Sequence, residues 1–359
     1  MADIYVNHTG SSTPPYDTEV KAATDIQVAL DAASSGDTVW IKADEDYVMD
    51  GVDQQAAQFD VDVNDSVAIK GYYLNTGDQD YGGAYYKDDT NGWVVIDANS
   101  GAYHVFSAGN YNKLVWMNFK TINANTAYIP FDLTLTTYKT GYMVKNCWVT
   151  GGQRGISCSY IQNIIIQDCK FTGVYSSGLN PSAIYFTSTV SRGVLIESCE
   201  FTHGNAKYSI CTLGYGSPTI CNNTFNINGS VTSAIELGYS GWVSNNTIYE
   251  NSGGAIDYGI RIEATALCSA VYNNIIVGCT ISIKETAAAT FGGWNCLYNN
   301  GSDWSPLREG DIQSDPQFMD AANGDFRLKP TSPCLNTGKP TPGSGYTSIG
   351  AWQRKSLLG

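Results

Sequence analysis

Short runs of alternating apolar and polar residues recur through the middle of this chain at a loose period. Val144-Lys145-Asn146-Cys147-Trp148-Val149 aligns with Ile166-Gln167-Asp168-Cys169-Lys170-Phe171 and with Ile196-Glu197-Ser198-Cys199-Glu200-Phe201. The series opens at Val115-Trp116-Met117-Asn118-Phe119. It continues from Ile220, Val243 and Val271, and closes at Gly293-Trp294-Asn295-Cys296-Leu297-Tyr298. Its fourth position is Asn or Cys throughout: Asn118, Cys147, Cys169, Cys199, Asn223, Asn246, Asn274 and Cys296. A second register runs between these blocks, with isoleucine at Ile156, Ile184, Ile210, Ile235, Ile260 and Ile281. Two registers that each advance once per block predict two strands per coil of a solenoid.

Alternation turns each Ile and its i+2 partner inward and the residue between them outward. Ser157, Tyr185, Cys211, Glu236, Arg261 and Ser282 are thereby placed on the outside. Stacked coils bring equivalent residues about 4.8 Å apart, so like side chains form ladders. An inward Asn at a bend passes amide hydrogen bonds from coil to coil, and Cys takes the same place where the backbone is already satisfied.

Both ends of the chain change pattern. Thr24 to Ala33 reads as a short amphipathic helix, followed by the turn Ser35-Gly36-Asp37 and the strand Thr38-Val39-Trp40-Ile41. Laid over the first coil, that helix would cover the open core and a strand edge. At the other end, Ser314-Asp315-Pro316, Asn323-Gly324-Asp325-Phe326-Arg327-Leu328 and Ser332-Pro333-Cys334 lead to Ile349-Gly350-Ala351-Trp352. The expected organisation is one β-helix domain over 1–359. Its parts are an N-terminal strand and cap helix at 1–42, coils over 43–300 with a loop insertion at 72–92, and a C-terminal cap at 301–359.

The opening helix–Gly-Asp–strand unit, the Asn/Cys coils and the Asp-Pro, Gly-Asp-Phe-Arg-Leu, Ser-Pro tail together resemble the pectin-lyase-like superfamily. The resemblance implies an all-β fold, a single-stranded right-handed parallel β-helix with an N-terminal capping helix. It specifies function far less, because that superfamily includes polysaccharide lyases, glycoside hydrolases, phage tailspikes, adhesins and inactive members.

Composition narrows the partners. The 359 residues include 20 Lys plus Arg against 34 Asp plus Glu, a net charge of −14. Nucleic acid would be repelled, and so would an acidic polysaccharide unless calcium or a local basic cluster intervened. No apolar run approaches the ~20 residues that span a bilayer, so no membrane insertion is expected. The start Met1-Ala2-Asp3-Ile4 has neither basic nor apolar signal-peptide character, and a virion or extracellular surface reached by another route is expected. The ten cysteines fall mostly inside strand patterns and read as reduced core residues.

The residues that carry catalysis in the superfamily's enzymes are not matched. The outward positions bear no aspartate cluster. The Asn-Thr-Asp, Asp-Asp and Gly-His-Gly set of polygalacturonase-like hydrolases is missing. One charged patch remains: outward Glu236 and Arg261 lie one coil apart, as do Glu263 and Lys284. Two carboxylates around a guanidinium offer an acid and a base to a sugar; the alternative is an ion-pair ladder on a solvated face. For binding, Tyr160, Tyr215 and Tyr239 follow equivalent strands, with Tyr185 and Tyr258 nearby, and exposed rings would lie against sugar faces. Asp78 and Asp80, in the loop insertion, are the oxygens a calcium ion would use, although their spacing is not that of an EF-hand. No other cofactor is expected, since no Cys/His set has zinc spacing and no phosphate loop is present.

The expected function is a non-catalytic β-helix surface protein, a phage virion decoration or an adhesin that binds glycans. Two alternatives stay open: a polysaccharide lyase or glycoside hydrolase with a divergent site, and a purely structural spacer. Polysaccharide or cell-surface glycan, other virion proteins and further copies of the chain are the partners these readings allow.

Overall fold

The computed structural model describes residues 2–49, 59–60, 66–72, 93–98, 104–107, 114–122, 129–175, 180–187, 192–214, 216–251, 255–263, 269–286, 290–340 and 347–351. The chain divides into two compact units, Met1–Lys170 and Phe171–Gly359. Each is built of parallel strands wound as a right-handed β-helix. Among the described residues no helix is long and apolar enough to cross a membrane.

The first unit begins with the strand Asp3–Val6, which pairs with Thr38–Lys42; that strand pairs with Ala68–Tyr72, and the latter with Val115–Met117. The helix between the first two strands spans Ile26–Ala32. It starts after Thr24 because the Asp25 carboxylate accepts hydrogen bonds from the amides of Gln27 (2.8 Å) and Val28 (3.3 Å) and caps it. Ile26, Ala29 and Leu30 are buried, the i, i+3, i+4 face expected of a covering helix.

The second unit shows three strands per coil, not two. One coil comprises Thr224–Ile227, Ser230–Leu237 and Trp242–Ser244, and the next Thr247–Glu250, Ala255–Ile262 and Ser269–Tyr272. The reason lies at the Asn-rich blocks. Asn222, Asn245 and Asn273 adopt left-handed backbone conformations, with φ of 59°, 55° and 58°. Asn tolerates that region far better than a branched residue. Each left-handed residue bends the chain, so a block that reads as one strand ends one strand and starts another.

The residue after each bend points inward. Asn223, Asn246, Asn274 and Asn295 are buried completely. Their side-chain amides donate along the axis, Asn223 to Asn246 (3.0 Å), Asn246 to Asn274 (3.0 Å) and Asn274 to Asn295 (3.1 Å); Asn295 donates to Asp311 (3.1 Å). Each Asn carbonyl also accepts the backbone amide of the preceding coil, and each amide reaches a backbone carbonyl such as that of Ile196 or Ile220. The column closes at Asn295 and not at Cys296, because Trp294 takes the left-handed bend there (φ 54°) and Cys296 pairs with Ile275.

The isoleucine column is Ile184, Ile210, Ile235, Ile260 and Ile283 in register. Ile283 takes the column position in place of the expected Ile281, which lies opposite Tyr258. At Gly259 the backbones approach closely: an added Cβ would meet Ile276 Cγ2 and the Ser282 carbonyl at 2.6 Å. Phe171, Phe201 and Phe225 stack nearly parallel inside, with centroids 4.9 and 4.5 Å apart. The tail packs Phe318, Phe326, Cys334 and Ile349 onto Ile275, Val277 and Cys296.

Candidate functional site

The strands Ser230–Leu237, Ala255–Ile262 and Ile281–Glu285 lie side by side, which sets Glu236 opposite Arg261 and Arg261 opposite Lys284. Arg261 Nη1 is 3.4 Å from Glu236 Oε1, and Nη2 is 2.6 Å from Glu263 Oε1. Of the two expected cross-coil pairs, Glu236–Arg261 is formed and Glu263–Lys284 is not. One guanidinium takes both carboxylates, and Lys284, whose partner in register is Arg261 and not Glu263, is exposed.

Glu236 does not face solvent. The residue is 1% exposed, whereas the Arg261 and Glu263 side chains are 27% and 31% exposed. Tyr185 and Cys211, read as outward with Glu236, are buried too. Tyr185, Tyr208 and Cys211 form a small apolar cluster with Leu213, apart from the main core. The alternation was read correctly in sending these residues away from the isoleucine column, but it could not foresee that neighbouring rings cover them. Ser157 and Ser282 are also fully buried. Ser282 is the last coil's misassigned position, since Lys284 holds the place equivalent to Arg261.

Burial pushes the Glu236 carboxyl up to about 7; the Ser233 hydroxyl and the Arg261 charge pull against it, and Glu263 adds to the rise. Ser233 Oγ donates to Glu236 Oε2 at 2.7 Å. The Tyr258 ring lies 5.2 Å from the Arg261 guanidinium carbon, within cation–π reach. Burial, with Cys211 and Glu236 nearby, raises the Tyr208 phenol. The accessible part of the site is thus a guanidinium fork fixed by two carboxylates, one of them shielded, with an aromatic ring at its side. It can hold hydroxyl or anionic oxygens by paired N–H donors. Beyond Lys284 a cleft of about 650 Å³ opens, walled by Ile283, Thr290, Trp304 and Arg308. Glu285 braces it, accepting from Arg308 (3.2 Å), Trp304 Nε1 (3.2 Å) and the Thr290 amide (3.0 Å).

Each described tyrosine has its own surroundings. In the first unit Tyr160 packs edge-on against Tyr138, with centroids 5.3 Å apart. In the second, Tyr185 is buried and takes a hydrogen bond from Asn180 (3.1 Å), while Tyr239 is half-buried just past the strand Ser230–Leu237. Tyr258 joins the charged cluster, its ring against the Arg261 guanidinium. Tyr215, Asp78 and Asp80 lie outside the described residues, so calcium at the aspartates is not addressed by the geometry. Among the described residues no three His, Cys, Asp or Glu side chains converge to hold a cation.

Ser233 and Tyr208 were missed in the sequence. Ser233 sits three residues before Glu236, a spacing that strict alternation sends to the opposite face. His203 is fully buried; its Nδ1 meets the Gly204 carbonyl (3.0 Å) and its Nε2 the Ser209 hydroxyl (2.9 Å). Because a carbonyl only accepts, the neutral ring carries its proton on Nδ1 and Ser209 donates to Nε2.

Residues 155–300 match a family model described as the right handed beta helix region. None of the curated proteins matches the sequence. Among solved structures, the chain is similar to pectate lyase Pel9A, with a TM-score of 0.50 at 10% identity over 98% of this chain and 97% of that one. A rhamnogalacturonan lyase aligns with a TM-score of 0.42 at 12% identity over 97% and 95% of the two chains. An alginate lyase from Paenibacillus sp. str. FPU-7 aligns at 0.41 and 12% over 81% and 99%. The right-handed parallel β-helix of this chain is the pectin-lyase-like fold.

Proposed function

We propose that this β-helix protein is a non-catalytic, glycan-binding surface protein, of the kind a phage virion or an adhesin displays, and that Arg261, Glu263 and Tyr258 make the contact. One observation carries the reading: Arg261 is held by both the shielded Glu236 and Glu263, yet its side chain stays 27% exposed. A guanidinium preorganised in this way loses little side-chain freedom when it accepts a sugar. The carboxyl best suited by its pKa to move a proton is sealed 1% exposed beneath it, out of reach of a glycosidic oxygen. The glycan sits at a virion or extracellular surface, and other virion proteins or further copies of the chain complete the assembly.

A second reading, a polysaccharide lyase or glycoside hydrolase, draws on the same residues, since a carboxyl near 7 beside an arginine is a common acid–base arrangement. A polysaccharide panel separates the two. Retention of a glycan with no new reducing ends and no unsaturated product supports binding alone. Turnover that Glu263→Gln or Arg261→Ala abolishes supports the enzyme.

A further inference from the structure

We propose that the outer face of the third strand file in the second unit is a platform for a neutral, extended β-1,4-linked glucan that lies across the coils. The register places Leu195, Thr219, Trp242, Ala270 and Phe291 in one column, one residue per coil. Trp242 is 47% exposed and Phe291 64%, although large rings are normally covered. Two coils separate them, roughly 10 Å at the usual strand spacing, and Ala270 leaves a shallow gap between. Two pyranose units of an extended β-1,4-linked chain span a similar length and turn the same face outward at every second ring. Trp242 and Phe291 would therefore each meet an equivalent C–H face, the contact aromatic rings make best with sugars.

The platform is rigid. Trp242 Nε1 donates to Ser244 Oγ at 2.9 Å, and its ring lies 5.7 Å from that of Tyr272 in the next coil. The Lys339 ammonium sits over Tyr272 at 3.6 Å and near Trp242 at 5.9 Å.

Charge selects the occupant. The neighbouring column, Cys221, Ser244, Tyr272 and Gly293, carries no ionisable acid, and Glu197 bounds it at one end. On a chain of net charge −14, two adjacent columns without a carboxylate, Thr219 to Phe291 and Cys221 to Gly293, with an ammonium held over their rings, complement an uncharged polymer with hydroxyls. The face lies on a different strand file from Arg261 and does not depend on the reading of that cluster.

Cellohexaose titration and retention on microcrystalline cellulose test it, using the full chain. Wild type is expected to bind, and Trp242→Ala and Phe291→Ala each to weaken binding roughly tenfold or more with the fold retained, since Phe291 is 64% and Trp242 47% exposed. Ala270→Arg, which fills the gap without removing a ring, is expected to do the same. Met319→Ala, which removes an exposed apolar side chain outside the column, is expected to bind cellohexaose as wild type does. No binding by wild type, or undiminished binding by all three platform variants, overturns the proposal. Self-association lost in Trp242→Ala without any glucan binding would overturn it too, by assigning the face to a second copy.

Discussion

Glu236 lies directly beneath Arg261: Oε1 is 3.4 Å from Nη1, and the carboxylate is closed to water while the guanidinium is open to it. The pair is asymmetric in what it costs. A buried carboxylate left without a partner is expensive, whereas the half-exposed arginine is partly solvated. Ser233 and Arg261 supply the partners that make this burial tolerable.

Two buried groups set opposite slopes of stability against pH. Burial holds His203 down to about 4 against an ordinary 6.5, so the unfolded chain takes up a proton that the fold refuses. Its contribution is complete above about 6.5 and is lost as pH falls towards 4. Glu236 is raised to about 7 against 4.5, so its contribution is complete below about 4.5 and is lost as pH rises towards 7. Each is worth up to about 3 kcal/mol, and between about pH 4.5 and 6.5 they oppose one another. Glu236→Gln is expected to unmask stability that rises with pH in this window, and His203→Phe stability that falls. Denaturant midpoints at a series of pH values check both; slopes that change in the same direction in the two variants would contradict the assignment.

Asn246→Ala is expected to cost about 2–4 kcal/mol. It removes the side-chain acceptor of the Asn223 backbone N–H and one of the two acceptors of the Asn223 side-chain amide, and it takes the side-chain donor from the Ile220 carbonyl and from the Asn274 oxygen, which keeps the backbone N–H of residue 246. Urea unfolding measures it, and a loss within about 0.5 kcal/mol would mean that these amides are satisfied in another way.

Those amides also show what could be read from sequence. Asn223, Asn246 and Asn274 were placed correctly because the side chain that turns inward and the one that bends the backbone are adjacent, and both are Asn. The strand count was misread for the same reason: Val243 to Ile248 looks continuous until Asn245 is seen to turn left-handed. Ile281 and Cys296 fall outside the Ile and Asn columns, Ile281 opposite Tyr258 and Cys296 opposite Ile275, which a period alone does not reveal. The burial of Glu236 was illegible because its neighbours Cys211 and Tyr208 come from another coil. The exposed column of Trp242 and Phe291 has no repeated residue type, so nothing in the pattern marked it.

Gly259→Ala is expected to destabilise by about 1–3 kcal/mol through overpacking alone, since the new methyl would stand 2.6 Å from Ile276 Cγ2 and from the Ser282 carbonyl. Thermal unfolding of the variant, set beside Gly301→Ala as a second tight position, gives the comparison. An unchanged midpoint would show that the coils can separate at this point without loss.

The cluster on Arg261 is tested most directly by one paired measurement, a glycan array read for wild type and Arg261→Ala, with the same glycans assayed for unsaturated or newly reducing ends. The expected result is a bound glycan set that Arg261→Ala loses by roughly tenfold or more, with no product from either protein. Product formation by wild type that Arg261→Ala abolishes, or a bound set that the substitution leaves intact, would contradict a binding role for the guanidinium held over Glu236.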